Sequence, residues 1–273
     1  MRRPSSPARF LASVAVAAIM AAALGGCQTM ADVKGALTST AEPAPEADPH
    51  RAAEVYGERY RANPKDADAA IRYGQALRAT GQRVQAVAVL EQASIAHSTN
   101  KALLSAYGRA LVDNGNFKQA FDVLGRAHSP DNPDWRILSV QGTALDQMGR
   151  HEEARRYYAS ALQIVPEEPS VLSNLGLSYV LSKELPKAEE TLRRAQATGR
   201  ADARVRQNLA LAVGLQGRFD EAETIVRADL PADEAAANVA YLRQMLNRKD
   251  NPRTAANAKN GKPPVVAFDQ AND

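Results

Sequence analysis

Apolar residues recur along this chain at helical spacing, and the helices they predict recur at a fixed period. Leu77, Leu111, Leu145, Tyr179 and Val213 stand 34 residues apart. So do Leu90, Leu124, Tyr158, Leu192 and Val226. Numbering each unit from Ala67, Lys101, Trp135, Pro169 and Ala203 puts these two sets at positions 11 and 24. Position 7 is then Tyr73, Tyr107, Gln141, Leu175 and Leu209. Positions 4, 7, 8 and 11 fall on one face of a helix, and positions 20, 24 and 27 on one face of a second. Each unit therefore predicts two amphipathic helices that face each other.

Small residues keep the same register. Position 8 is Gly74, Gly108, Gly142, Gly176 and Ala210; position 20 is Ala86, Ala120, Ala154, Ala188 and Ala222. Ala93, Ala127, Ala161 and Ala195 hold position 27. Side chains this small let paired helices approach closely. Gly81, Gly115, Gly149 and Gly217, at position 15, supply the turn between the helices. Four departures stand out. Lys183 replaces the turn glycine, with Pro186 following where a helix start tolerates proline. Gln141 occupies an apolar position. Arg206 and Asp229 interrupt the fifth unit's core positions, and residues 129–134 (Ser-Pro-Asp-Asn-Pro-Asp) form a looser connection.

This pattern resembles the tetratricopeptide repeat. The resemblance implies an all-α fold, a right-handed solenoid of paired antiparallel helices. Asp48 to Ala62 reads as a half repeat that caps the first unit, and Pro231 to Arg248 as a capping helix at the other end, since terminal repeats would otherwise expose their core. The array then spans 50–248. Residues 249–273 carry little apolar content and are expected to be disordered, with Val265, Val266 and Phe268 as a small apolar exception.

The N-terminus has a different character. Arg2, Arg3 and Arg9 precede an apolar run from Phe10 to Leu24, which is short for a membrane span of roughly 20 residues and suits a secretory signal. The run ends Leu24-Gly25-Gly26-Cys27 and resembles the bacterial lipobox. That resemblance implies cleavage after residue 26, with a covalent diacylglycerol and an N-acyl lipid on Cys27. Gln28 then favours the outer membrane, with the protein facing the periplasm. Residues 27–49, rich in Ala, Pro and Glu, read as a tether. Cys27 is the one cysteine, so no intrachain disulfide forms.

The net charge of +3 resides in Arg2, Arg3 and Arg9, so the chain after residue 26 is balanced. A nucleic-acid partner calls for a basic excess on some face, and none is expected here. The cluster Arg193, Arg194, Arg200, Arg204 and Arg206 is interspersed with Glu189, Glu190 and Asp202 and reads as a solvated face. No catalytic or metal constellation is present. His151-Glu152-Glu153-Ala154-Arg155 begins like a zinc motif but has Arg155 at the second ligand position. No resident cofactor and no metal are expected, and the chain is read as a non-enzymatic protein.

A solenoid of this kind lines its concave side with the first helices. Positions 2, 5, 9, 12 and 13 are expected to point away from the core and to be polar. In the first three units they are mixed. In the fourth and fifth they become Leu177, Val180, Leu181, Leu211 and Leu215, a candidate partner-binding patch. The alternative is that neighbouring helices or the C-terminal helix bury them. Asn174 and Asn208 hold position 6 without the basic residues that a carboxylate clamp requires.

The whole layout resembles the TadD-like lipoproteins of the tight-adherence (Tad/Flp) pilus system, most specifically in Ala-Ala-Ala-Asn-Val-Ala-Tyr-Leu-Arg-Gln-Met-Leu (235–246). That resemblance implies a role in assembling or localising the pilus secretin, with the secretin and other Tad components as partners. A scaffold for cell-wall or outer-membrane assembly, and a pilotin of another type IV pilus or type II secretion system, are the alternatives.

Overall fold

The structure is a computed structural model that describes residues 48–250, and side chains as far as Asn247. Cys27, most of the tether, and the 249–273 tail with Val265, Val266 and Phe268 lie outside the described residues, apart from the last turn of the final helix.

Twelve helices follow one another among the described residues. Helix α1 (Pro49–Ala62) precedes five pairs. These are α2 (Ala67–Ala79) with α3 (Arg83–Ala96), α4 (Lys101–Asp113) with α5 (Phe117–Gly125), and α6 (Trp135–Gln147) with α7 (His151–Ile164). Then come α8 (Pro169–Leu181) with α9 (Leu185–Ala197), α10 (Ala203–Leu215) with α11 (Phe219–Val226), and finally α12 (Ala232–Asp250). No strand occurs among the described residues; the one β-bridge, Ser129 to Asn132, tightens the loop before α6.

The first helix of every pair starts on a side-chain cap. Asp66, Asn100, Asp134, Glu168 and Asp202, again 34 residues apart, each accept a hydrogen bond from a backbone N–H of the first turn. Each cap satisfies a donor that helix geometry leaves orphaned. The second helices have no side-chain cap. Their start is set by the turn before them. In the first repeat the Gln82 N–H donates to the Leu77 carbonyl (2.8 Å) and the Gly81 N–H to that of Arg78 (3.0 Å). This closure needs a left-handed residue. Gly81, Gly115, Gly149 and Gly217 take it at φ of 73 to 84°, and Lys183 takes it at 64°.

The position-8 ladder is a packing device. A Cβ on Gly74, Gly108, Gly142 or Gly176 would come within 2.4–2.6 Å of Leu90, Leu124, Tyr158 or Leu192. Each of those position-24 side chains is buried against the glycine that faces it. The fifth repeat has Ala210 at position 8 and, in the matching slot, the smaller Val226. The added methyl is offset by the loss of one.

The departures from the pattern are resolved in pairs. Arg206 and Asp229, at positions 4 and 27, form a bidentate ion pair: Arg206 Nε donates to Asp229 Oδ2 at 2.7 Å, and Nη2 donates to Oδ1. In the earlier repeats those positions hold an apolar side chain facing an alanine. Gln141 is buried, and its Oε1 accepts from His128 Nε2 at 3.0 Å. His128 Nδ1 is left buried with no partner.

The first helices of successive repeats also touch one another. Positions 5 and 12 therefore lie in a seam, and the expectation that they face solvent is corrected. Ser139, Ser173, Val112, Asp146, Val180 and Gly214 are all buried. Polar groups in the seam are satisfied across it, as buried polar groups must be. Asn174 Nδ2 donates to Ser139 Oγ and Asn208 Nδ2 to Ser173 Oγ, both at 3.0 Å. At the far end α12 packs on the last pair, and a Cβ on Gly214 would meet Leu242 at 2.5 Å.

Candidate functional site

The five first helices, with the loops that enter α8 and α10, line one groove of about 760 Å³. It runs from Arg78 on α2 to Leu211 on α10. Its wall is built from positions 2, 5, 6, 9, 12 and 13, the face that the core positions leave free.

The end near α2 and α4 is charged. Arg78 Nε donates to Asp113 Oδ2 at 2.5 Å, and both side chains are largely buried. Arg109 lies beside them. Burial first, and then the nearby Arg78 charge, lower its pKa; Asp134 opposes and Arg136 adds. Arg136 lies over the Trp135 ring at 4.5 Å, a cation–π contact.

Asp146 holds the centre together. Its Oδ1 accepts from Ser178 Oγ at 2.8 Å and lies 2.8 Å from His151 Nδ1; its Oδ2 accepts from the Tyr158 hydroxyl at 2.9 Å. These contacts join α6 to α7 and α8. Burial, and then the Asp146 charge, hold the Tyr158 hydroxyl well above its usual pKa. Among the described residues no cluster of three His, Cys, Asp or Glu side chains could hold a metal. His151, the start of the zinc-like motif, is committed to Asp146. Arg155 is committed to Glu152, Glu184 and Ser182.

The end near α8 and α10 combines leucines with the charged side chains of Glu168, Arg200, Asp202 and Arg204. Of the predicted patch, Leu177, Leu181 and Leu211 line the groove. Leu181 is 44% exposed, while Leu177 and Leu211 are half-buried against the core beneath. Val180 is core, at 9% exposure, because position 12 falls in the seam between α8 and its neighbours. Leu215 is half-buried against the same cluster and does not line the groove. Arg109 and Arg136, at positions 9 and 2, belong to the mixed set expected on the concave side and line the groove, although they were not among the candidate partner residues; Trp135, at position 1, was not expected there.

Models of the tetratricopeptide repeat match residues 147–212 and 203–228. The model of the anaphase-promoting complex, cyclosome, subunit 3, matches residues 48–127. The matched repeats and the paired helices show a tetratricopeptide-repeat fold. The crystal structure of PilW, a widely conserved type IV pilus biogenesis factor, is similar to it with a TM-score of 0.61 at 17% identity, over 71% of this chain and 92% of that one. The pilF structure of Pseudomonas aeruginosa gives 0.53 at 20% identity, over 69% and 87%. A thermophilic tetratricopeptide-repeat protein of Thermus thermophilus gives 0.56 at 23% identity, over 67% and 97%. At these identities the likeness is one of fold. No curated protein matches the sequence.

Proposed function

We propose that this tetratricopeptide-repeat protein is a non-enzymatic adaptor that binds another protein in the groove of its first helices. The observation that carries this reading is the groove itself. It is continuous over five repeats, carries charged side chains along its length, and keeps Leu181 exposed among half-buried leucines near α8 and α10. Scattered exposed leucines need no explanation, but one beside two half-buried leucines on a groove wall fits a partner site.

The finer reading is that the protein is lipid-anchored through Cys27 in the outer membrane, faces the periplasm, and serves assembly of a Tad/Flp pilus, with the secretin as its partner. The sequence-level likeness to TadD-like lipoproteins supports this, and the PilW and pilF folds are compatible with it. Two experiments test it. Cys27→Ser should abolish incorporation of labelled palmitate; retained label refutes the anchor. Deletion of the gene should deplete secretin multimers and surface pili; normal levels of both refute the pilus role. A scaffold for cell-wall or outer-membrane assembly remains the alternative in that case.

A further inference from the structure

The groove's charges are unevenly spent. Every carboxylate on its wall is committed. Asp113 pairs with Arg78, and Asp146 is bonded to Ser178 and Tyr158 with His151 beside it. Glu168 caps α8 and pairs with Arg200, and Asp202 caps α10. Three arginines on the same wall are not committed. Among the described residues the guanidinium groups of Arg109, Arg136 and Arg204 make no hydrogen bond or ion pair, and Arg136 has only the Trp135 ring. Arg109 is half-buried near Arg78 and Arg136, and the two carboxylates that act on it from nearby are engaged elsewhere, Asp113 with Arg78 and Asp134 with the Arg136 amide. A half-buried cation with no anion bonded to it gains from receiving one.

We propose that the groove receives an acidic segment of the partner protein in extended form, with Arg109, Arg136 and Arg204 receiving its Asp and Glu side chains. This rests on the groove being a protein-binding site, as proposed above. The three arginines stand on α4, α6 and α10. Packed helices lie about 8–10 Å apart, so α4 and α10 are separated by roughly 25–30 Å. A single terminal carboxylate cannot serve arginines spread over that length. An extended segment rises about 3.3 Å per residue, so about eight or nine residues cover it. Leu177 and Leu181 stand on α8, between Arg136 on α6 and Arg204 on α10, which places apolar side chains of the segment between its acidic ones. Asn174 and Asn208 are bonded to Ser139 and Ser173, so the position-6 amides take no part.

The test uses the full-length chain on an array of random ten-residue peptides, each printed with a free and an amidated C-terminus. The bound set should be enriched in Asp and Glu. The best peptides should bind about tenfold more weakly to each of Arg109→Gln and Arg136→Gln, the loss of one charge-assisted contact. Binding should also weaken between 50 and 500 mM salt, and Arg109→Lys should restore part of it. These substitutions leave the core untouched, and an unchanged circular dichroism spectrum confirms the fold. Bound peptides without acidic enrichment, or acidic enrichment indifferent to the arginines, overturn the proposal. The groove reading then survives only if Leu181→Glu still abolishes binding. A strict need for the free C-terminus overturns the side-chain assignment. Absence of any bound peptide counts against both readings.

Discussion

Across the first three repeats the groove wall carries Arg78, Arg109 and Arg136 beside Asp113 and Asp146; across the last two, Leu177, Leu181 and Leu211 join the charges of Glu168, Arg200, Asp202 and Arg204. The seams differ as well. An ion pair, Arg78 to Asp113, links the first two repeats, while Ser–Asn hydrogen bonds link the third to the fourth and the fourth to the fifth. The interior does not follow this divide: position 20 is a fully buried alanine in all five repeats, and position 8 is a glycine in the first four. The scaffold is thus repeated and the groove is not. In a repeat array each unit needs only its neighbours for stability, so the positions that differ between units are free to carry recognition.

The boundary between the two regions runs through Asp146, and breaking it should have the largest effect. Asp146→Ala leaves Ser178 without its acceptor and Tyr158 with only the longer 3.4 Å bond to Thr143 Oγ1 in a buried seam, and we expect a loss of about 3 kcal/mol in urea unfolding. A loss under about 1 kcal/mol would mean that the seam re-forms with water. Next is the shared interior. Gly108→Ala drives a methyl against Leu124 and should cost about 2 kcal/mol. Adding Leu124→Val recreates the fifth repeat's Ala210–Val226 combination. The double variant should therefore be more stable than the summed single losses by about 1 kcal/mol; strict additivity would show that the two positions do not share a slot.

The charged network of the last two repeats gives a pH test. The Glu189 carboxyl is held down at about 2, chiefly by the hydrogen bond from Arg218, with burial opposing and Arg193 and Gln216 adding. Its folded pKa is depressed, so its contribution is present above about 4.5 and lost as the pH falls towards 2. Urea midpoints of the natural chain should drop across that window. Glu189→Gln should start lower at pH 7 and converge with the natural chain near pH 2. Parallel curves would remove Glu189 from the network. The smallest effect belongs to the one turn that differs. Lys183→Gly relieves a left-handed non-glycine residue and should stabilise by about 1 kcal/mol, whereas Gly115→Lys in the earlier half should cost about as much.

The repeats, their register and both capping helices were legible because small-residue and apolar ladders at a fixed period leave few other solutions. The cap ladder from Asp66 to Asp202 was equally periodic, but it lies outside the apolar pattern that set the register. The meaning of Arg206 and Asp229 was not legible singly: each breaks the pattern, and only their pairing across 23 residues, from α10 to the turn after α11, shows that the breaks cancel. Val180 was misplaced for a similar reason. A helical wheel separates core from solvent, but position 12 faces a third surface, the seam with the next repeat, which exists only once the helices have stacked.

The most direct measurement is site-specific photo-crosslinking in the native cell. A photoreactive residue at Leu181, on the groove wall, is compared with one at Val84, which is 74% exposed on α3 and does not line the groove. A discrete crosslinked protein from position 181, absent from position 84 and lost when Arg109→Gln and Arg136→Gln are added, is the expected result. A partner that crosslinks from position 84 and not from position 181 would show that the chain binds through its second helices, and that the groove is not where it works.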